Sequence, residues 1–390
     1  MRSAQPLIGA SPQERRRLGE LFVELCRIES PSGRERACAE RVVQELLELG
    51  LEVHEDEAGP QAGSDCGNLL VRIPAREEGP SFLLCAHMDT VPLAAPVEPV
   101  LLKGGYENAN EGILGADNKA AIAVLLALAR RLCESPPPVG VELLFTVGEE
   151  RALAGARAFD AGGLRSELGY VFDHASPIGE VIVASPFHFR VEISFRGAAA
   201  HSGVRPQDGR SAILAAARAV AEMPLGRVDG ESTVNVGRIE GGSAMNVVPE
   251  RCTLIAEVRS LQAERAEGLV SELIERAQDA ANLPECECDV DVALERTFAG
   301  YWTPEDAPAV RAALGALERC SYEPRLVASG GGSDANALIA QGLPTVNLAN
   351  GTERNHEPGE RVSVAALEGV LDVALALPDA VAEQAPSPAR

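Results

Sequence analysis

The 390-residue chain is poor in aromatic side chains, at 4% of residues, and has only two lysines, Lys103 and Lys119. Scarce aromatics beside abundant alanine and glycine favour tightly packed α/β layers over an aromatic-rich β sandwich. The cations are thus almost all arginine, and they are outnumbered: 35 Lys and Arg face 58 Asp and Glu, a formal net charge of −23. A chain of that sign lacks the positive footprint that phosphate backbones require, which argues against nucleic acid as a partner. Its acidity serves solubility and also suits cation capture. No stretch approaches the ~20 apolar residues of a membrane span, and the opening MRSAQPLIGASPQERRRL lacks the apolar segment of a secretory signal. The nine cysteines are scattered, with no CxxC pair and only Cys286 and Cys288 close together, which points to reduced thiols and a cytoplasmic location. A GxSxG elbow and a persuasive Cys–His arrangement are also missing, so the usual covalent catalysts are set aside.

What is present is a foldable globular composition, 46% hydrophobic, at a length that suits two or three domains. Two helical patterns between residues 11 and about 50, separated by SPSGRE, precede strand-like LEVHEDE, NLLVRIP and SFLLCAH. Residues 118–132 (NKAAIAVLLALARRL) read as a helix apolar nearly all round, hence buried. VELLFTV reads as a buried strand, RALAGARAF as a helix and LGYVFD as a short strand. Strands alternating with helices indicate an α/β domain with a largely parallel sheet. From HFRVEISFRG to CECDVDVALE the order becomes β-α-β-β-α-β, the ferredoxin-like split βαβ arrangement with two helices on one face. Strands near Leu326 and Pro344 and a helix from Ser363 then resume the first pattern. The sequence therefore predicts a discontinuous α/β domain over residues 1–185 and 297–390, a small domain over 186–296 inserted in it, and a frayed tail, EQAPSPAR.

Five motifs carry chemistry. SFLLCAHMDTVP ends an apolar strand in His87 and Asp89, at the carboxyl edge where open α/β sheets place ligands. Residues two apart on a strand point the same way, so His87 can bind a metal while Asp89 accepts its other imidazole N–H. A turn with a capping aspartate is the plainer alternative. In GILGADNKAAIAVLL, Asp117 lies before the buried helix, either as its N-cap or as a carboxylate bridging two cations. In VELLFTVGEERALAGA, Glu149 and Glu150 follow a strand and open a helix. They either complement the helix dipole or divide two tasks, one binding metal and the other taking a proton from water. LGYVFDHASPIG puts Asp173 at a strand end, with the adjacent His174 expected to point away. His356 in NLANGTERNHEPGERVSV sits in a polar loop, as a ligand or merely solvated. Together these sites suit Zn, Co or Mn rather than a thiolate metal. Two such ions about 3.5–4 Å apart would lower the pKa of a shared water, with Glu149 as base.

In these motifs, their order and their spacing, nearly the whole sequence resembles the M20 family of metallopeptidases and aminoacyl hydrolases, and within it the peptidase T-like branch. HMDTVP, GADNKAAIA, the GEE pair, FD at a strand end and NHEP carry the resemblance. It implies a zinc-exopeptidase-like catalytic domain in which His87 and Asp173 hold one zinc, Glu150 and His356 the other, and Asp117 bridges. Asp89 would orient His87 and Glu149 would be the base. It also implies that the inserted unit is a lid that makes a homodimer, with His201 of AAAHSG polarising the scissile carbonyl, often across the dimer; a purely structural His201 is the alternative. Arg259 in EVRS and Asn246 in GGSAMNVVPE match substrate-contacting positions, although Arg259 equally suits a pairing with an acidic neighbour. Gly331 and Gly332 of SGGGSDANAL would let backbone N–H groups approach substrate, while Ser333 and Asp334 read as a helix cap. The implied substrate is a small peptide, tripeptides foremost, or an N-acyl or N-carbamoyl amino acid; a catalytically silent binding protein of the same fold is the reading from another class. Asn118 stands where many relatives have a second aspartate, and Ala121 where peptidase T has glycine, which puts the substrate in doubt. The family often has a cis peptide after the bridging aspartate.

Overall fold

A computed structural model describes residues 9–77 and 79–384, so the first eight residues and most of the expected tail lie outside it. The chain divides into two compact units, one formed by the residues up to Val183 and from Trp302 onward, the other by Ala184–Tyr301.

The first unit is built on a sheet whose four central strands, Gly140–Thr146, Ser81–His87, Ser166–His174 and Thr345–Ala349, are parallel neighbours in that order. Leu69–Ile73 and then Val53–Glu55 extend one side antiparallel, and Glu180–Ser185 extends the other. Burial on both faces explains why FLLCA and VELLF are continuous apolar runs rather than alternating ones. The helix Ala116–Glu134 is buried on nearly every side, and Pro12–Arg27 and Val364–Ala382 join it in the same core. Pro12–Arg27 starts where its sequence says it should: Ser11 and Glu14 form a capping box around a proline at the first helical position.

Two local expectations fail in this unit. RALAGARAF forms only the short helix Ala154–Ala158, because Ala152 and Leu153 take positive φ values of 58° and 62°. Glu149 and Glu150 consequently sit in a turn and do not open a helix. The second miss is a four-stranded sheet of Pro99–Leu102, Gly105–Asn108, Arg361–Ser363 and Thr352–Glu353, whose strands are too short to show periodicity.

The helices of this unit are also clamped by charge. The carboxylate of Glu45, only 4% exposed, meets Arg17 at 2.7 Å, Arg130 at 2.9 Å and Arg41 at 3.0 Å. Burial alone would raise its pKa, but the three guanidinium groups outweigh that and hold it at about 2. A depressed folded pKa contributes stability that is complete above the unfolded value and lost as pH falls through the folded one, here between about 4.5 and about 2. Glu45→Gln should therefore lower the urea midpoint at pH 7, by an amount equivalent to about 3 kcal/mol. That gap should narrow as the pH is taken from 5 toward 3, and a gap unchanged at pH 3 would contradict the clamp.

The second unit is an antiparallel sheet in the order Gly226–Arg227, Ser232–Gly241, Arg251–Ser260, Phe187–Arg196, Asp289–Phe298. Phe189, Val191, Ile193 and Phe195 alternate inward with Leu254, Ala256 and Val258 and pack against the helices Ala212–Glu222 and Ala263–Ala281. The period of two in RVEISF and CTLIAEV is thus the signature of a sheet with helices on one face.

Candidate metal centre

Parallel strands end on the same side, and the first unit exploits this. His87 is the last residue of Ser81–His87, Asp173 the penultimate one of Ser166–His174, and Glu149 and Glu150 follow Gly140–Thr146 within four residues. Asp117 and His356 arrive from loops. Residues 354–360 form the loop of a small hairpin closed by the pairs Thr352–Val362 and Glu353–Arg361, and His356 within it takes a φ of 67°.

The carboxylate of Asp117 lies between the two histidines. Its Oδ1 is 3.2 Å from His87 Nε2 and its Oδ2 is 3.2 Å from His356 Nε2. Each histidine has a second acid: Asp173 Oδ1 at 3.6 Å from His87 Nε2, and Glu150 Oε1 at 2.7 Å from His356 Nε2. Donor atoms of His87, Asp117 and Glu150 lie within 4.8 Å of one another, as do those of His87, Glu149 and Asp173. His87 and Asp117 are buried, whereas the His356 side chain is 49% exposed, so the cluster is open on that side. His174, whose Nε2 faces Glu180 at 3.9 Å, takes no part. The Asp117–Asn118 peptide is cis, and the Asp117 carboxylate oxygens meet His87, His356 and Asn355.

The electrostatics call for positive charge. Four carboxylates converge on two imidazoles. Burial and the neighbouring Asp117 push Asp173 well above the usual carboxylate range, and burial and Asp173 do the same to Glu149. Hydrogen bonds to Asp117 and Glu150 raise His356 to about 10. Burial opposes protonation of His87, but Asp117, Asp173 and Asp89 raise it nonetheless. Nitrogen and carboxylate donors with no thiolate, in a cluster that shares protons to offset its own repulsion, fit divalent Zn, Mn or Co.

Asp89 does more than orient an imidazole. His87 Nδ1 is closer to the Asp89 backbone carbonyl, at 3.0 Å, than to its carboxylate, at 3.4 Å. The fully buried carboxylate instead accepts the N–H of Glu149 at 2.9 Å, the N–H of Glu150 at 3.2 Å and the Ser32 hydroxyl at 2.6 Å. Burial would raise its pKa, but these bonds and His87 keep it below the usual range. Asp89 thus holds the turn that carries both glutamates.

Two residues, Asn355 and Glu360, escaped the sequence reading, and a third, Asp334, was read only as part of a helix cap. Asn355 donates from Nδ2 to Asp117 Oδ2 at 2.9 Å. Asp334 follows the cap residue Ser333 but turns inward, where its carboxylate accepts the Thr146 hydroxyl at 2.5 Å and the Cys85 thiol at 3.7 Å. Burial pushes it up to about 6. Glu360, also buried, accepts three backbone N–H groups from the Asp117 loop. An acid four residues after His356 was the only available signal.

The remaining candidates are dispersed. A side chain at Gly331 would meet only Ser329 Oγ, at 3.8 Å, and Gly332 lies beside it in the same loop. In the second unit His201 and Asn246 are neighbours, with the Ser202 N–H donated to the Asn246 carbonyl at 3.0 Å. Arg259 is on Arg251–Ser260 and reaches Glu257 at 3.1 Å, a carboxylate it shares with His188.

Residues 187–283 match the M20 peptidase dimerisation domain, and residues 68–173, which carry every ligand candidate except His356, match peptidase family M28. The uncharacterized Bacillus subtilis protein YqjE is 34% identical over 363 residues, covering 93% of this chain and 97% of its own. This chain belongs to the M20 peptidase family. It is a metal-dependent peptidase, a hydrolase, with a mixed α/β fold and a mostly parallel central sheet. The structure of the aminopeptidase PepT from Bacillus cereus is 36% identical, with a TM-score of 0.84 over 94% of this chain and 99% of that one. A tripeptidase from Staphylococcus aureus is 31% identical, with a TM-score of 0.89 over 95% and 99%. Among the described residues, no helix is long and apolar enough to cross a membrane.

Proposed function

We propose that this peptidase is an exopeptidase of the peptidase T-like branch that removes the N-terminal residue of small peptides, tripeptides foremost, at a centre of two divalent cations. The observation that carries the reading is Asp117, whose two oxygens face His87 and His356 separately, each histidine with its own further acid. His87 and Asp173 would hold one ion and Glu150 and His356 the other, with Asp117 shared. Zinc suits the donors best, with cobalt or manganese as substitutes. Bound there, the ions supply Lewis acidity toward the scissile carbonyl and lower the pKa of water.

The chain's own residues do the rest. Glu149, its backbone held by Asp89, takes a proton from the attacking water and passes it to the leaving amine nitrogen. His201 polarises the carbonyl oxygen, while Arg259, Asn246 and the N–H groups of Gly331 and Gly332 receive the rest of the substrate.

Strand register in the second unit bears on where His201 comes from. Arg259 pairs with His188, and Arg251 pairs with Arg196, eight residues further along the same strand. Eight steps of roughly 3.3 Å separate these positions by about 26 Å. The ribbon then continues away from Arg259, with the Gly197 N–H on the Glu250 carbonyl and the Val248 N–H on the Ala200 carbonyl. A tripeptide spans about 11 Å. One copy therefore does not offer both His201 and Arg259 to the same small substrate, which supports a homodimer through this unit in which a second copy supplies His201 and its neighbour Asn246. The location is cytoplasmic in this reading.

The test is a metal-stripped preparation reloaded with zinc, cobalt or manganese and offered tripeptides, N-blocked tripeptides, dipeptides, and N-acyl and N-carbamoyl amino acids. Free tripeptides should lead by at least about tenfold in kcat/KM, and chelation should abolish turnover. Preference for an N-acyl or N-carbamoyl amino acid would transfer the enzyme to the amidohydrolases instead.

A further inference from the structure

The hairpin that carries His356 also carries a buried acid that the proposed chemistry does not use. Glu360 is 1% exposed. Its Oε2 accepts the N–H groups of Leu114 and Gly115, and its Oε1 that of Asp117, all at 2.8 Å. A buried charge persists only where its hydrogen bonds offset its desolvation. Here all three come from one loop, and that loop contains the residue whose two oxygens divide the cluster.

We propose that Glu360 is a positioning residue for the metal centre, locking the backbone of the Asp117 loop to the His356 hairpin so that both ligands move as one body. The inference rests on the two-metal reading above. Asn355 and His356 touch the Asp117 carboxylate at 2.9 and 3.2 Å, and Glu360 holds the same residue by its backbone N–H. The hairpin thus grips Asp117 at both ends. Gly115, with a φ of 77°, gives the loop the left-handed turn that aims successive N–H groups at one carboxylate. Two acceptor oxygens are needed. A glutamine offers one, and its NH2 would meet a third N–H donor to donor. An aspartate keeps the charge but falls one methylene short.

The experiment is stepwise metal binding to the metal-free protein, by competition with a chromophoric chelator for zinc and for cobalt, on the wild type, Glu360→Gln and Glu360→Asp. Both metal-free variants should show the wild-type far-UV circular dichroism and oligomeric state. Glu360→Gln should weaken one binding step by about 10–100-fold, the range for lost partners of metal ligands. The weakened step should be the one that His356→Ala abolishes, and Glu360→Asp should fall between the glutamine variant and the wild type. Unchanged affinities in both variants, beside a wild type that binds two ions, overturn this inference alone. Variants that no longer fold cooperatively without metal assign Glu360 to folding and overturn it too. A wild type that takes up no metal removes the two-metal reading, and this one with it.

Discussion

Glu149→Gln is expected to leave metal content at the wild-type level while lowering kcat for peptide hydrolysis by about 10³-fold, within the span attributed to a positioned general base. The substitution keeps shape and removes only the capacity to take a proton. The turn holding Glu149 is fixed by Asp89, through its backbone N–H and that of Glu150, and those bonds do not involve the Glu149 side chain. Metal content should survive because Asp117, Glu150, Asp173 and the two histidines are untouched. Burial and the neighbouring Asp173 raise the carboxyl of Glu149, the direction that makes a carboxylate a better base near neutral pH. Measured together, metal analysis and kcat separate the roles. Full metal with unchanged turnover would exclude Glu149 from proton transfer, and loss of metal would make it a ligand.

Asp117→Ala should cost both metal and activity, with less than one ion retained after dialysis and turnover down by at least about 10⁴-fold once Lewis-acid assistance is gone. Without this carboxylate His87 and His356 each lose their shared partner at 3.2 Å, and the two halves of the cluster are no longer joined. Asp117→Asn is the finer probe, since it keeps the volume and the backbone N–H that Glu360 holds. It should bind metal more weakly than the wild type and more strongly than the alanine variant. Two ions at full occupancy in the alanine variant would remove Asp117 as the shared ligand.

Part of this candidate centre was legible in the chain because His87, Asp173 and the two glutamates sit at or just after the ends of apolar strands. A run such as SFLLCAH becomes a buried parallel strand, and its last residue must emerge at the carboxyl edge of the sheet. Four such strands share a direction, so separate motifs point to one place. The second unit was legible for a related reason: alternation in RVEISF and CTLIAEV reports directly which face is covered. The failures occurred where contacts remote in sequence replaced local pattern. Glu149 and Glu150 look like a helix start, yet Asp89 takes their N–H groups and positive φ at Ala152 and Leu153 delays the helix. Asp334 looks like part of a cap, yet Cys85 and Thr146, on neighbouring strands, draw it inward.

The residue types of the proposed metal cage and their order are therefore determined by the sequence, and continuous apolar runs place His87, Asp173, Glu149 and Glu150 at or just after strand ends. Tertiary structure decided the rest. The separation of Asp117's two oxygens between His87 and His356 depends on a hairpin more than 230 residues away. The grip of Glu360 on the same loop, and the hold of Asp89 on the two glutamates, are likewise hydrogen bonds between remote segments. Such bonds obey no period along the chain, because their geometry is set only once the segments have packed.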